Sequence, residues 1–331
     1  MLQKLSNLLD SDTLKVLKKE KSLLAFSAGV DSTALFFLLL EENIKFDIAI
    51  VDYGKRESSK DELLYAKFLA EKYHKKCFDT KVVLDDSSFE QKARDARYDF
   101  FEKCIKENGY KNLITAHQLN DRVEWFLMQF TKGAGCVELL GFEACEKRDN
   151  YSLIRPLINT SKEKLFGYLI ENGIKYFEDA SNRDKKYTRN RFRHNFSNEL
   201  LKEYEKGITK SFEYLEIDKK RLFNLQVIKQ IKKLYILKNS GNESENLRAI
   251  DKIIKRLGII ISAKQRDEIA SQKDIVIAHK ISVSLGDEKI YIAPYCNVTL
   301  DKKFKEQCRR LKIPPKIRAY LWIEGINPKE M

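Results

Sequence analysis

Three times within the first 131 residues an apolar run ends in a polar turn and passes into helical spacing: 23–26 into 32–42, 48–51 into 58–74, and 112–115 into 120–131. A fourth run, Cys77 to Val83, precedes a long helical pattern over 88–107. Parallel strands cannot be joined by a tight turn; they need a crossover, usually a helix, and such crossovers are right-handed. The alternation therefore predicts an α/β fold with a mostly parallel sheet and helices on both faces. In such sheets ligands sit beyond the carboxyl ends of the strands, so the turns after residues 26, 51 and 115 should gather at one edge.

The remainder has a different texture. Residues 161–172 and 197–238 read as helical, the latter with Leu, Ile, Phe and Tyr at spacings of three and four. "NSGNESEN" (239–246) reads as a polar linker, followed by helical stretches at 247–257 and 263–271 and β-like runs in "DIVIAHKISVSL" and "KIYIAP". This predicts a catalytic domain over 1–205, then a helical segment with a small mixed α/β module over 206–331.

Composition narrows the functional classes. The 331 residues are 43% hydrophobic and 34% charged, which fits a globular chain with a sizeable core. The longest apolar run, Ala34–Leu40, is far shorter than the roughly 18 residues of a membrane span, and charges interrupt the N-terminal segment. A cytoplasmic protein with no membrane segment is expected. The six cysteines contain no C-x-x-C pair and the four histidines no H-E-x-x-H, which disfavours structural zinc and paired-cysteine chemistry. Charge is uneven: residues 181–240 hold 16 Lys and Arg against 7 Asp and Glu, and 302–318 hold 8 against 1. A basic surface confined to the second half suits nucleic acid; solvated lysine-rich helix faces are the bland alternative.

In "LLAFSAGVDSTALFFLLL" (23–40) the strand ends at Phe26 and a helix begins near Ser32. Amides of the first helical turn lack partners, and the helix dipole behind them favours phosphate or pyrophosphate. Gly29 permits close backbone approach, and Ser27 and Ser32 add hydroxyl donors. Asp31 belongs among such groups if Mg2+ bridges it to the phosphates; otherwise it caps the helix. There is no G-x-x-x-x-G-K-[ST] loop, because Gly54-Lys55 is followed by Arg56.

"SAGVDS" (27–32) resembles the S-G-G-x-D-S pyrophosphate loop of the N-type ATP pyrophosphatases, enzymes with a Rossmann-like sheet that split ATP into AMP and PPi. Ala28 stands at the first glycine and keeps the loop serviceable if its backbone angles are negative. "VDYGKR" (51–56) is similar to the V-D-H-G-x-R of the tRNA(Ile)-lysidine synthetases, and "ARDARY" (93–98) to their A-R-x-x-R-Y. "TAHQLNDRVEWFLMQFTKGAGCVELLGF" (115–142) resembles their A-H-H-x-D-D-Q-x-E-T and the glycine-containing turn after it. "RPL" (155–157) and "EDASNRDKKYTRNRFRHN" (178–195) are similar to R-P-L and E-D-x-S-N-x-x-x-x-x-x-R-N-x-x-R-H. All fall in order across 23–195. Gln118, Asn120, Arg122 and Trp125 depart from the His, Asp, Gln and Thr of the pattern.

The resemblance implies an enzyme that ligates L-lysine to C2 of the wobble cytidine, position 34, of an isoleucine tRNA with a CAU anticodon. ATP adenylates the C2 oxygen, PPi departs, and the lysine ε-amine displaces AMP. The implied cofactors are ATP and Mg2+: Ser27, Ala28, Gly29, Val30, Asp31 and Ser32 on the phosphates, Asp31 and Asp121 on the metal, His117 and Arg94 on the nucleotide. Arg94 and Arg97 would clamp phosphate or the lysine carboxylate, though alone they read as an exposed helix face. Asp121 and Glu124 would attract the lysine ammonium and one would take its proton, though alone they are helix-start acids. Arg155, Arg189, Asn190, Arg191, Arg193 and His194 would face tRNA, as would the 302–318 cluster, with strong salt dependence. A homodimer is compatible with the chain.

Other readings stay open. A tRNA thiolation enzyme would use a similar loop and needs reactive cysteine, for which Cys104 or Cys136 are the candidates. Amide-forming relatives usually add a glutaminase or an ammonia source, and no extra domain with a Cys nucleophile is evident. A nucleotide-sensing or RNA-binding protein without catalysis would bind ATP without turnover.

Overall fold

In the computed structural model, described for residues 8–54, 58–82, 89–148, 150–178, 188–222 and 227–331, the chain forms two compact units, Met1–Lys219 and Lys220–Met331. Lys55, Arg56 and residues 179–187 of the sequence motifs lie outside the described residues. The first unit takes in residues 206–219, beyond the expected end at 205.

The first unit is built on β1 (Ser22–Ala25), β2 (Phe46–Asp52), β3 (Cys77–Lys81), β4 (Asn112–Ile114), β5 (Cys145–Lys147) and β6 (Ser152–Ile154), in the order β3-β2-β1-β4-β6-β5. All neighbours run parallel except β5, which is antiparallel to β6. The expected mostly parallel α/β sheet is present. Successive strand side chains point to opposite faces, and the sequence uses both. Leu24, Ile48, Ile114 and Ile154 join one core with α2 (Val30–Glu41), α3 (Ser58–Lys72) and α7 (Lys162–Glu171). Leu23, Ala49, Leu113 and Leu153 join another beneath α4 (Phe89–Asn108).

Helix α2 is apolar all round, so it is stable only where every side is covered. Its residues from Ser32 to Leu39 are buried, and the Phe36 ring lies 5.3 Å from those of Phe37 and Phe46. That burial fixes the start of α2 at the carboxyl end of β1. The chain leaves β1 for β2 on one side and returns at β4 on the other, so the turns after β1 and β4 flank the crevice where strand order reverses. From β4 the chain enters α5 (Leu119–Phe130), then α6 (Cys136–Leu140). Helix α8 (Thr188–Phe192) runs through a π-helical turn, Arg193–Ser197, into α9 (Asn198–Leu222). Among the described residues no helix is long and apolar enough to cross a membrane.

The second unit is a five-stranded antiparallel sheet, β7-β8-β11-β10-β9, from β7 (Val227–Ile231), β8 (Leu234–Lys238), β9 (Asp274–Ile277), β10 (Ile281–Leu285) and β11 (Lys289–Pro294). Helices α10 (Glu243–Arg256) and α11 (Ala263–Ser271) cover one face, α12 (Lys302–Arg310) and α13 (Pro315–Ile323) the other. Two expectations are corrected. Helix does not run to 238: β7 and β8 form a hairpin whose turn places Lys232 at φ 52°, and the continuous apolar run "LYIL", buried at all four positions, pairs as a strand covered on both faces. The polar stretch 239–246 is not all linker, because the Asn242 side chain accepts the Glu245 amide and starts α10 within it.

Candidate active site

The turn after β1 is drawn tight by its own serines. The Ser27 amide donates to Ser32 Oγ at 3.2 Å, the two hydroxyl oxygens lie 3.1 Å apart, and Ser32 Oγ donates to Gly29 O at 3.3 Å. Gly29 is the N-cap of α2 and no side chain caps the helix, so its first-turn amides are presented to an anion. Ala28 corrects the sequence reading: its φ is 58°, in the left-handed region, not negative. Its methyl is wholly buried in the core, and its carbonyl accepts the Phe177 amide at 2.9 Å. A paired segment on one side and a packed methyl on the other hold a conformation glycine would adopt freely.

Asp31 follows directly, in the first turn of α2. Burial pushes its carboxyl up to about 7; the charges of Asp121 and Glu124 add to this, and those of Lys162 and Arg193 oppose it. Its Oδ1 is buried without a hydrogen-bond partner. A buried carboxylate oxygen left open beside uncapped amides fits a divalent cation that also meets phosphate, since Mg2+ takes one or two carboxylates and completes its shell from water and substrate.

The turn after β4 supplies the opposing side. Gln118 caps α5, its Oε1 accepting the Asn120 amide at 2.5 Å, while Asp121 Oδ2 accepts the Gln118 amide at 3.1 Å. Glu124, one turn on, has no exposed surface. Both acids are met by guanidinium groups from α8 and the π turn. Arg189 donates to Asp121 Oδ1 at 2.6 Å and to Glu124 Oε2 at 2.8 Å. Arg193 donates to Glu124 Oε1 at 2.6 Å and Oε2 at 3.2 Å. Burial acts to raise the Asp121 carboxyl, but Arg189, His117, the Gln118 amide and Arg193 hold it below the usual range. Burial likewise works against the Arg189 charge, which Asp121 and Glu124 nonetheless keep firmly in place.

His117 lies in the turn after β4, where its surroundings favour the neutral ring. Burial drives it down to about 4 against the pull of Asp121, with Arg155, Arg189 and Arg94 adding to the fall. Its Nδ1 lies 3.0 Å from Thr115 Oγ1, and its ring stacks on Phe142 with centroids 5.0 Å apart. The turn after β2 completes the edge: the Gly54 amide donates to Asp52 Oδ1 at 2.7 Å, and Tyr53 OH donates to Ala93 O on α4 at 3.1 Å. Arg94 and Arg97 are exposed on that helix, Arg94 with its guanidinium 5.1 Å from the Tyr98 ring.

The structure thus brings Ser27 to Ser32, His117, Asp121, Glu124, Arg189 and Arg193 to one edge, with Arg94 near enough to act on His117. It places other expected residues differently. Arg155 is 3% exposed and donates to Glu143 O at 2.6 Å and Glu146 Oε2 at 2.9 Å, so it secures the loop before β5 and does not face solvent. Asn190 is buried, His194 half-buried and Arg191 exposed. Glu124 is engaged through both oxygens by guanidinium groups, which does not suit a base waiting for a proton. Cys104 is on the core-facing side of α4 with its thiol pushed up by burial, which suits packing and not sulfur transfer. An open cleft of about 740 Å3 between α3 and the segment 172–175 that follows α7 contains none of these groups.

The departures from the family pattern have structural work. Asn120 Oδ1 accepts the Lys162 amide and its Nδ2 donates to Asn198, tying α5 to α7 and α9. Arg122 is 1% exposed, bonded to Asn159 and Glu216 with its guanidinium 4.2 Å from the Phe212 ring. Lys162, at the first turn of α7, was not singled out by the sequence; only its proximity in space to Asp31 reveals it.

Residues 1–200 match the PP-loop domain family. The chain is 46% identical to the tRNA(Ile)-lysidine synthase of Campylobacter jejuni over 96% of this chain and 97% of that protein. It is 44% identical to the tRNA(Ile)-lysidine synthase of Helicobacter pylori over 95% and 93%. Among solved structures, a U34-tRNA thiolase from Methanococcus maripaludis aligns over 63% of this chain and 75% of that one, with 19% identity and a TM-score of 0.49.

Proposed function

We infer the reaction from one premise: the chain belongs to the tRNA(Ile)-lysidine synthase family. It is a ligase that joins L-lysine to C2 of the wobble cytidine of the CAU-anticodon isoleucine tRNA, in the cytoplasm, splitting ATP into AMP and PPi. The observation that carries the reading is the buried, unpartnered Asp31 oxygen beside the uncapped amides of α2.

The chemistry needs activation because the C2 oxygen of cytosine is a poor leaving group. That oxygen attacks the α-phosphorus of ATP and PPi leaves. The lysine ε-amine then adds to C2, loses a proton, and AMP departs with the former C2 oxygen. The α2 amides with Ser27 and Ser32 hold the phosphates, where the helix dipole favours the charge that builds on them. Asp31 and Asp121 would hold Mg2+, which when bound neutralises phosphate charge. Asp121, kept ionised by Arg189 and Arg193, attracts the lysine ammonium. Arg94 and Arg97 meet phosphate or the lysine carboxylate, while Arg191 and the basic residues of 302–318 meet tRNA phosphates.

The test is PPi release from ATP with lysine and the CAU-anticodon tRNA supplied separately and together. Release that needs both supports the ligase. ATP binding without turnover, or a requirement for a sulfur donor, contradicts it.

A further inference from the structure

Trp125 follows Glu124 on α5 and stands where the family pattern has threonine. It is one of two tryptophans in the chain and remains 36% exposed. Its indole is nevertheless fixed on several sides. Nε1 donates to Glu138 O of α6 at 2.8 Å. Gly141 lies against the ring so closely that a Cβ there would come within 2.3 Å of Cδ1, and its φ of 52° leaves the position to glycine. Phe142 packs at 5.6 Å and 54°, and is itself stacked on His117 and held beneath the Arg155 guanidinium at 5.4 Å. Three rings thus form a wall leading from His117 beside Asp121 out to a half-exposed indole.

The chemistry of that exposed surface is narrow. The only hydrogen-bond donor of the indole is already used, so what it offers is a rigid π face. On the same stretch of α5 the Glu124 carboxylate holds Arg189, whose side chain is 46% exposed. A flat aromatic ligand attached to an anionic backbone matches the two kinds of group exposed on this part of the unit, a π face on α5 and a guanidinium on α8. Resting on the reading that the substrate is a tRNA, we propose that Trp125 is a stacking platform for an unstacked nucleobase of the RNA, next to the reacting cytidine. Stacking suits the task because it holds a base flat without reading its edges.

The experiment uses the full chain carrying Trp322→Phe, so that Trp125 is the sole tryptophan. A fluorophore-labelled CAU-anticodon stem-loop is titrated in, with binding followed by anisotropy and indole emission recorded in parallel with unlabelled RNA; ATP alone is titrated separately. The expected result is quenching of Trp125 that saturates with RNA binding and is not produced by ATP. Trp125→Leu, which keeps an apolar side chain against Gly141, should weaken RNA binding about tenfold, and Trp125→Phe should restore most of it. The unfolding midpoint of each variant is measured alongside, since a purely structural role would move both midpoints and leave affinity alone. RNA binding with unchanged Trp125 emission and full affinity in Trp125→Leu overturns the platform and leaves the ligase reading intact. Quenching by ATP alone overturns it in favour of an adenine site. Where the stem-loop binds too weakly the full-length CAU-anticodon tRNA is titrated in its place, and a tRNA that fails to bind overturns both.

Discussion

Ala28 shows how much rests on one dihedral angle. A Cβ at φ 58° costs on the order of 1 kcal/mol, sustained here by the Phe177 pairing and the buried methyl. Ala28→Gly should therefore shift unfolding stability by less than about 1 kcal/mol and keep PPi release, as relieved strain and lost backbone restriction offset one another. Ala28→Val, β-branched in the left-handed region and larger than its site, should cost more than about 2 kcal/mol, read from denaturant midpoints, and depress turnover. The sequence marked Ala28 as a departure but not its dihedral, which is decided by a partner far along the chain. Two titrations at this scale oppose each other in the metal-free protein. With Asp31 at about 7 against an ordinary 3.8, the folded state keeps a proton the unfolded chain has lost, so stability falls as pH rises through that window. With His117 at about 4 against 6.5, the unfolded chain takes up a proton the folded state refuses, so stability falls as pH drops below 6.5. Asp31→Asn should leave a stability profile that rises between pH 4.5 and 6.5, and His117→Asn one that falls, each measured by urea midpoints across that range.

Helix α5 joins the site to the body of the first unit. On one face its acids meet Arg189 and Arg193; on another, Leu119 and Val123 pack against Leu201 and Phe212 of α9. Glu124 has no exposed surface and two guanidinium partners, of which Arg193 is largely buried and Arg189 half-exposed, so Glu124→Ala leaves Arg193 without its main carboxylate and should cost about 3 kcal/mol in thermal or denaturant unfolding. A loss below about 1 kcal/mol would mean the ion pairs are not formed in solution. The strands β1, β2 and β4 and helix α2 were legible in the sequence because burial on every side demands continuous apolar runs, and α4 was legible from its helical spacing. The three-residue strands β5 and β6 were not: "CEK" is mostly polar, and "SLI" is not followed at once by helical spacing as the equally short β4 is. The motif residues were legible as chemistry, but their pairing was not: the reading sent Arg189 and Arg193 to tRNA, and the fold turns them onto Asp121 and Glu124. Nothing local distinguishes an arginine facing a phosphate from one facing a carboxylate.

Charge is the property that belongs to the whole molecule. The net charge is +13, and 302–318 alone holds 8 Lys and Arg against 1 acid, with Lys302, Lys303 and Lys305 exposed on α12. If these lysines meet RNA phosphates, replacing all three with Ala should reduce the slope of log affinity against log salt by up to about 3. An unchanged slope would assign them to solvated surface. The central claim is that the first unit makes a new carbon–nitrogen bond on RNA, and product analysis tests it most directly. The CAU-anticodon tRNA is incubated with enzyme, ATP and lysine, digested to nucleosides and analysed by mass. A cytidine carrying the mass of lysine less water, formed only when ATP and lysine are both present, is the predicted result. Unmodified cytidine despite ATP consumption, or a sulfur-containing nucleoside in its place, would contradict it.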